Sequence, residues 1–205
     1  MWKNSLALAL CVIVGVIIGI MVDRTVLLRL TEPESIVQAI AIPDTSYARF
    51  HDLHLFNVYG GDLSATTTEI NFFIPIPESL AIEEKLELLA RKLSYYKFRA
   101  LPIEFVELVE NGTDRIAVIN LSEMRWNQDR QPGEMTGDTW STGYFQGSSG
   151  GWYTALTLRE TFLQREYSGE WINAVRFLYE NEPIGPGDWD HFTLSGTQYS
   201  DQVRN

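Results

Sequence analysis

The sequence predicts an α+β protein: a single β-α-β-β-α-β domain with two helices packed on one sheet, preceded by an N-terminal transmembrane helix. Three observations carry that class. Residues 5–22 hold no charge, and the run 6–22 is almost wholly aliphatic. Residues 82–96 repeat apolar side chains at helical spacing, whereas 70–76 and 172–179 alternate with the period of a strand. Between two β-rich runs stands Asn111-Gly112, a strong hairpin signal.

At about 1.5 Å of rise per residue, the apolar run just crosses a hydrocarbon core of about 30 Å. A cleaved secretory signal has a shorter apolar region, about 7–15 residues, ending in a small-x-small site. No such site precedes Asp23, and Leu10 stands where a lipoprotein signal needs a small residue before Cys11. Lys3 and the terminal amine flank one side of the run, Arg24 and Arg29 the other. Because a very short, Lys-bearing tail stays inside, the rest of the chain is expected outside, as a single-pass protein of the cell membrane. The expected division is a cytoplasmic tail at 1–4, an anchor at 5–22, a connector at 23–67, the α/β domain at 68–197 and a tail at 198–205.

The chain carries 27 acidic against 16 basic residues, a net charge of −11, and Lys3 is the only charge before residue 23. Such a surface repels phosphate backbones, which argues against nucleic acid as a partner. The only cysteine, Cys11, falls in the anchor, so no disulfide can form within the rest. The remaining length suits one core.

The elements follow in order. Pro33 and Pro43 bracket a short apolar stretch inside the connector, and Leu53, Leu55, Phe56, Val58 and Tyr59 suggest that part of it packs on the domain. Ile70, Phe72, Ile74 and Ile76 form the buried face of a first strand that Pro75 and Pro77 end. Ser79 is placed to cap a helix with Ile82, Leu86, Leu89, Leu93 and Tyr96 on one face. Residues 103–110 and 115–121 make the hairpin around Asn111-Gly112-Thr113-Asp114. A polar loop spans 124–146. Gly147 and Ser148 or Ser149 open a second helix with Ala155, Leu158 and Phe162 inward, 172–179 forms another strand, and Phe192 with Leu194 adds a short edge strand.

Arg115-Ile-Ala-Val-Ile-Asn-Leu-Ser122, then Gly147-Ser148 leading a helix that carries Leu158-Arg-Glu-Thr-Phe-Leu-Gln164, then Trp171-Ile-Asn-Ala-Val-Arg-Phe-Leu-Tyr179 resembles the GerMN domain of bacterial sporulation and germination proteins. The resemblance spans residues 68–196, and Tyr95-Tyr-Lys-Phe-Arg-Ala-Leu-Pro102 departs from the Gly-Pro and Gly-Thr elements of that family. It implies a membrane-anchored, extracytoplasmic protein-interaction module in a cell-envelope or sporulation-associated assembly, with no catalytic activity. The residues themselves have structural uses. Asn120 and Ser122 can bond backbone where a strand ends, and Thr161 and Gln164 stand where helix carbonyls need partners.

Two sharper patterns stand beside these structural uses. Gly147-Ser148-Ser149-Gly150-Gly151 fits Gly-x-Ser-x-Gly, with Asp188 and His191 following in hydrolase order. A nucleophile elbow needs a buried strand directly before it, and Thr139-Trp-Ser-Thr-Gly-Tyr-Phe-Gln146 is a poor one, so a turn and helix start is the preferred reading. His51 and His54 lack a third nearby ligand for a metal and are expected in a solvated linker. No catalytic residue, metal or cofactor is expected.

Five of six tryptophans fall at 126, 140, 152, 171 and 189. Aromatic faces anchor protein interfaces and stack on sugars, so Trp126, Trp140 and Trp152 form the expected contact surface, for protein or, as the rival, for envelope glycan. In the anchor, Ala7, Cys11, Gly15 and Gly19 recur every four residues on one stripe of a helix. Small residues at that spacing let two helices approach, which raises a homodimer through the anchor as an expectation.

Overall fold

The computed structural model describes residues 52–61 and 68–201. The anchor 5–22 with Ala7, Cys11, Gly15 and Gly19, the stretch between Pro33 and Pro43, and His51 lie outside the described residues.

The chain is α+β. Strand β1, Leu53–Gly61, pairs antiparallel with β2, Thr68–Pro77, as a two-stranded ribbon. Helix α1, Ile82–Lys97, leads to the hairpin of β3, Ile103–Asn111, and β4, Asp114–Leu121. A 3-10 turn at Pro132–Glu134 and a π-helical turn at Trp140–Tyr144 precede helix α2, Ser148–Leu163. Strand β5, Ala174–Tyr179, runs parallel to β4, and the short β6, Glu182–Pro183, and β7, Thr197–Tyr199, both pair with β5. The expected β-α-β-β-α-β order is present as β2-α1-β3-β4-α2-β5, but not on one sheet: β1 and β2 form their own ribbon beside the five-stranded sheet. The helices pack chiefly on one strand of each, α1 against β2 and β3, α2 against β1 and β5.

Several boundaries move. β1 lies inside the stretch read as connector, so the folded unit starts before residue 68, and β7 runs into the stretch read as a tail. Phe192 and Leu194 are core residues outside any strand; on the side of β5 away from β4 the partners are β6 and β7 instead. Local chemistry explains each shift. β1 shows every second residue to the core from Phe56 to Val58, but its Gly60-Gly61 end disguises it as loop. β4, central in the sheet and parallel to β5, is buried on both faces and therefore reads as a continuous apolar run.

The turns differ from expectation in one instructive way. Asn111 pairs with Asp114, so the loop is Gly112-Thr113, and only Gly112 has positive φ, at 65°. The turn in which both residues are left-handed is Glu180-Asn181, at 50° and 66°, which joins β5 to β6. Helix α1 starts at Ala81 rather than Ser79; the Glu84 carboxylate accepts from the Ala81 N–H at 3.0 Å, and no side chain caps the first turn from Ala81. Tyr96, expected inward, is exposed. The α1 end closes without glycine: Arg99 and Ala100 are both left-handed, and the Ala100 N–H reaches the Ser94 carbonyl. Helix α2 has Gly147 at its N-cap, with no side-chain cap from Ser148 or Ser149.

One core joins the ribbon, both helices and the sheet. Phe56, Ile74, Leu86, Leu93, Ile119, Leu158, Phe162 and Phe177 all belong to it.

Candidate functional site

The seam between β1 and α2 is closed by side chains. One edge of β1 is bonded to β2. On the other, the Gln164 amide accepts from the Asn57 N–H at 2.9 Å and donates to the Asn57 carbonyl at 2.6 Å, while the Thr161 hydroxyl accepts from the Tyr59 N–H at 3.2 Å. Two side chains of a helix thereby do for an edge strand what a neighbouring strand would. Gln164 also donates to the Thr161 carbonyl at 2.6 Å, the helix-end role expected of it. Next to Thr161 in the helix, Glu160 is fully buried and paired with Arg159 at 3.0 Å and Arg165 at 2.7 Å. Burial alone would raise its carboxyl; the hydrogen bonds and charges of Arg165 and then Arg159 outweigh that and hold it below the ordinary range.

A second buried carboxylate organises the loop before α2. Glu123 accepts from the N–H groups of Trp140 and Ser141, each at 2.9 Å, and from the Tyr179 hydroxyl at 3.0 Å. It therefore fixes the start of the π-helical turn, whose Tyr144 and Phe145 N–H groups reach back to the Thr139 and Trp140 carbonyls. Trp140 is consequently 0% exposed, stacked on Phe145 and tilted against Phe98 and Tyr144. This corrects the expectation of a surface ring there: the turn folds the indole into the core. Trp152 is half-buried and meets Tyr153 edge to face. Trp126 is 57% exposed, its Nε1 donating to the Thr136 carbonyl at 3.4 Å. The three tryptophans therefore do not form one surface.

The outer face of the ribbon carries exposed apolar side chains instead, with Asn57 among them donating to the Glu166 carboxylate at 3.1 Å. Cross-strand partners share a face, which places Leu55 with Pro75 and Asn57 with Phe73 on the side away from Phe56, Ile74 and Ile76. A bulge between Val58 and Tyr59 skips Asn71 and pairs Tyr59 with Ile70. The skipped residue turns Ile70 outward, against the strict alternation expected of β2. Leu55, Phe73 and Ile70 stand 54%, 52% and 45% exposed.

A cleft opens between the ribbon's far end, the end of α1, the π-helical turn and the first half of α2. It has two lobes, of about 360 Å³ and 420 Å³, that share Tyr144, Gly150 and Thr154. Asn71 and Lys97 line the larger lobe, Asp138 and Thr142 the smaller. Burial lowers the Lys97 ammonium from its usual range, and burial followed by the Asp138 charge raises the Tyr144 phenol.

The hydrolase-like pattern lacks its context. Ser149 is an exposed first-turn residue of α2, behind a π-helical turn rather than a strand. The Asp188 carboxylate accepts from the Gly185 N–H at 2.6 Å, as a turn requires. His54, expected in a solvated linker, sits in β1 with its Nδ1 3.2 Å from Glu78 and its ring 4.5 Å from that of Tyr167. The Tyr167 hydroxyl donates to Glu78 at 2.6 Å, and burial, then Glu78, pushes that phenol up to about 12. Among the described residues, no helix is long and apolar enough to cross a membrane.

Nothing in the sequence marks Glu123, Glu160, Tyr144 and Lys97 as organising groups. The backbone partners of Glu123 lie 17 and 18 positions away; Arg159 and Arg165 are near Glu160 in the sequence, but the burial that makes their pairing matter is not legible there. No protein-family model, no curated protein and no solved structure matches the chain.

Proposed function

We propose that this protein is a membrane-anchored, extracytoplasmic protein-interaction module of the cell envelope, a divergent GerMN-like domain held by a transmembrane helix at residues 5–22. It acts by contact rather than by chemistry. The observation that supports it is the outer face of the β1–β2 ribbon, where Leu55, Phe73 and Ile70 lie together, about half exposed. Single exposed apolar residues are ordinary, but a contiguous group is a mark of a contact surface. The paired residues of this face from Leu55 to Tyr59 are uncharged, and the Glu166 carboxylate beside them is engaged by the Asn57 amide at 3.1 Å and the Tyr59 hydroxyl at 2.8 Å. Among the described residues β2 is paired with a strand on one side only, which leaves an edge that an extended segment can join.

A photo-crosslinking amino acid at position 73 of the full-length chain, expressed in its own cells, is expected to form an adduct with another envelope protein. The same probe at Glu83, on the solvated side of α1, is expected to form none. Absence of an adduct from position 73, or equal adducts from both, overturns the reading.

A further inference from the structure

The two-lobed cleft is separate from the ribbon's outer face and differs from it in chemistry. Tyr144 belongs to both lobes, and its ring is backed by Phe98 at 5.2 Å and Trp140 at 5.6 Å, so it is held rigid. Tyr153 lines the larger lobe, braced edge to face by Trp152 at 5.2 Å. Around these rings the walls carry glycine: Gly60 and Gly61 from β1, Gly143 from the turn and Gly150 from α2. At Gly61 a side chain would strike the Tyr153 ring, whose atoms come within 2.1 Å of an ideal Cβ; the glycine is what lets the ring lie against the strand. Polar groups of both kinds converge on the cleft. The Lys97 ammonium donates to Asn71 Oδ1 at 2.5 Å in one lobe, and Asp138 with the paired hydroxyls of Thr139 and Thr142, 2.6 Å apart, stands in the other.

We propose that this cleft binds an uncharged oligosaccharide, one ring unit per lobe, with the faces of Tyr144 and Tyr153 as stacking platforms. Sugar rings present apolar C–H faces to aromatic side chains and hydroxyls to planar polar groups. Rigid tyrosines surrounded by Asn, Asp, Lys and Thr offer both. The lobes are of the size of a small-ligand pocket, about 300–1,000 Å³. Charge sets the class: the cleft holds one cation and one carboxylate, and the chain around it is strongly acidic, which disfavours a polyanionic glycan. It also sets the role. Glycoside hydrolysis ordinarily takes two carboxyl groups flanking the bond, and Asp138 is the only one among the lining residues, so the cleft binds without cleaving.

The site has a convenient plug. A Cβ at Gly150 meets nothing within 4 Å, and Gly150 lines both lobes. Gly150→Gln therefore fills the cleft while removing a glycine from a helix, a change that favours folding. Lys97→Met tests the larger lobe through a second position. The full-length chain in detergent micelles is titrated with chitotriose, maltotriose and polygalacturonate by calorimetry. The expected result is binding of chitotriose or maltotriose, weakened about tenfold or more by Gly150→Gln and by Lys97→Met and unchanged by Trp126→Ala, which lies outside the cleft. Three results overturn the proposal: neither neutral saccharide binds, the plugged variant binds like the parent, or polygalacturonate binds in their place. Crosslinking from position 73 is unaffected by Gly150→Gln if both readings hold, so failure of one does not imply failure of the other.

Discussion

Gln164 and Glu160 show how much a single side chain decides here. Gln164 satisfies the N–H and carbonyl of Asn57 at once, so Gln164→Leu leaves two backbone groups at a covered edge without partners. A loss of about 1–3 kcal/mol is expected, measured by urea unfolding, with β1 the first segment to lose amide-exchange protection. Glu160 gives a pH dependence with a definite sign. Its folded carboxyl is held below the ordinary value of 4.5, so the stability it contributes is complete above that value and is lost as pH falls through the depressed one. Glu160→Gln leaves Arg159 and Arg165 facing a neutral group inside the fold. It is expected to cost about 3–5 kcal/mol near neutral pH and to flatten the acid limb of the stability curve. An acid limb as steep as the parent's would show that the buried pair is not its source. The helix-end role of Gln164 is local and legible in the sequence, whereas its bonds to Asn57, 107 positions away, are not; Arg159 and Arg165 are close to Glu160 in the chain, but its full burial is decided by the fold.

The elements were legible where the period of burial was intact. Helix α1 and the β3–β4 hairpin stand near where their patterns place them, while their ends were set by contacts the pattern does not encode. Ser79 has the right chemistry for an N-cap, yet the chain enters the helix at Ala81, because Pro77 closes β2 and a turn from its carbonyl to the Leu80 N–H fills the gap. An acceptor at the true cap is therefore missing, and Ala81→Asp is expected to raise stability by about 0.5–2 kcal/mol in thermal unfolding. At α2 the converse holds: with Gly147 at the cap, Ser149→Ala is expected to change stability by only a few tenths of a kcal/mol. A large loss would mean that Ser149 caps after all. The bulge in β2 is the clearest limit of periodicity. One skipped residue moves Ile70 from the expected core face to the exposed one, and nothing in 68–77 marks the skip, because its cause is the partner strand.

For the molecule as a whole, the anchor is the decisive expectation. A periplasmic-type reporter fused after Asn205 is expected to be active outside the cytoplasm, with residues 5–22 retained as an uncleaved span. Activity only in the cytoplasm would reverse the orientation, and an N-terminus found beyond Val22 would replace the anchor with a cleaved signal. The stripe of Ala7, Cys11, Gly15 and Gly19 leads to a second test. Gly15→Ile with Gly19→Ile is expected to abolish dimer signal in a membrane two-hybrid assay without changing insertion. Paired anchors would present ribbon faces and clefts two at a time, so that weak contacts gain by effective concentration. Equal signal from the double variant and the parent would remove the stripe as an interface.

What the sequence by itself determined follows from short-range physics. Hydrophobic period distinguishes helix from strand, glycine and proline punctuate, and net charge excludes classes of partner; these gave the α+β class and the succession from β2 to β5. The division into ribbon and sheet was decided only in three dimensions, as were the burial of Trp140, the exposure of Leu55 and Phe73, and the cleft beside Tyr144. Each depends on residues distant along the chain: Glu123 turns Trp140 inward from 17 positions away, and the seam between β1 and α2 joins positions more than a hundred apart. A tryptophan in a polar loop reads as surface because the loop's composition is all that the sequence displays. The buried carboxylate that pulls the loop's backbone inward, and the indole with it, acts through a contact that exists only once the chain has folded.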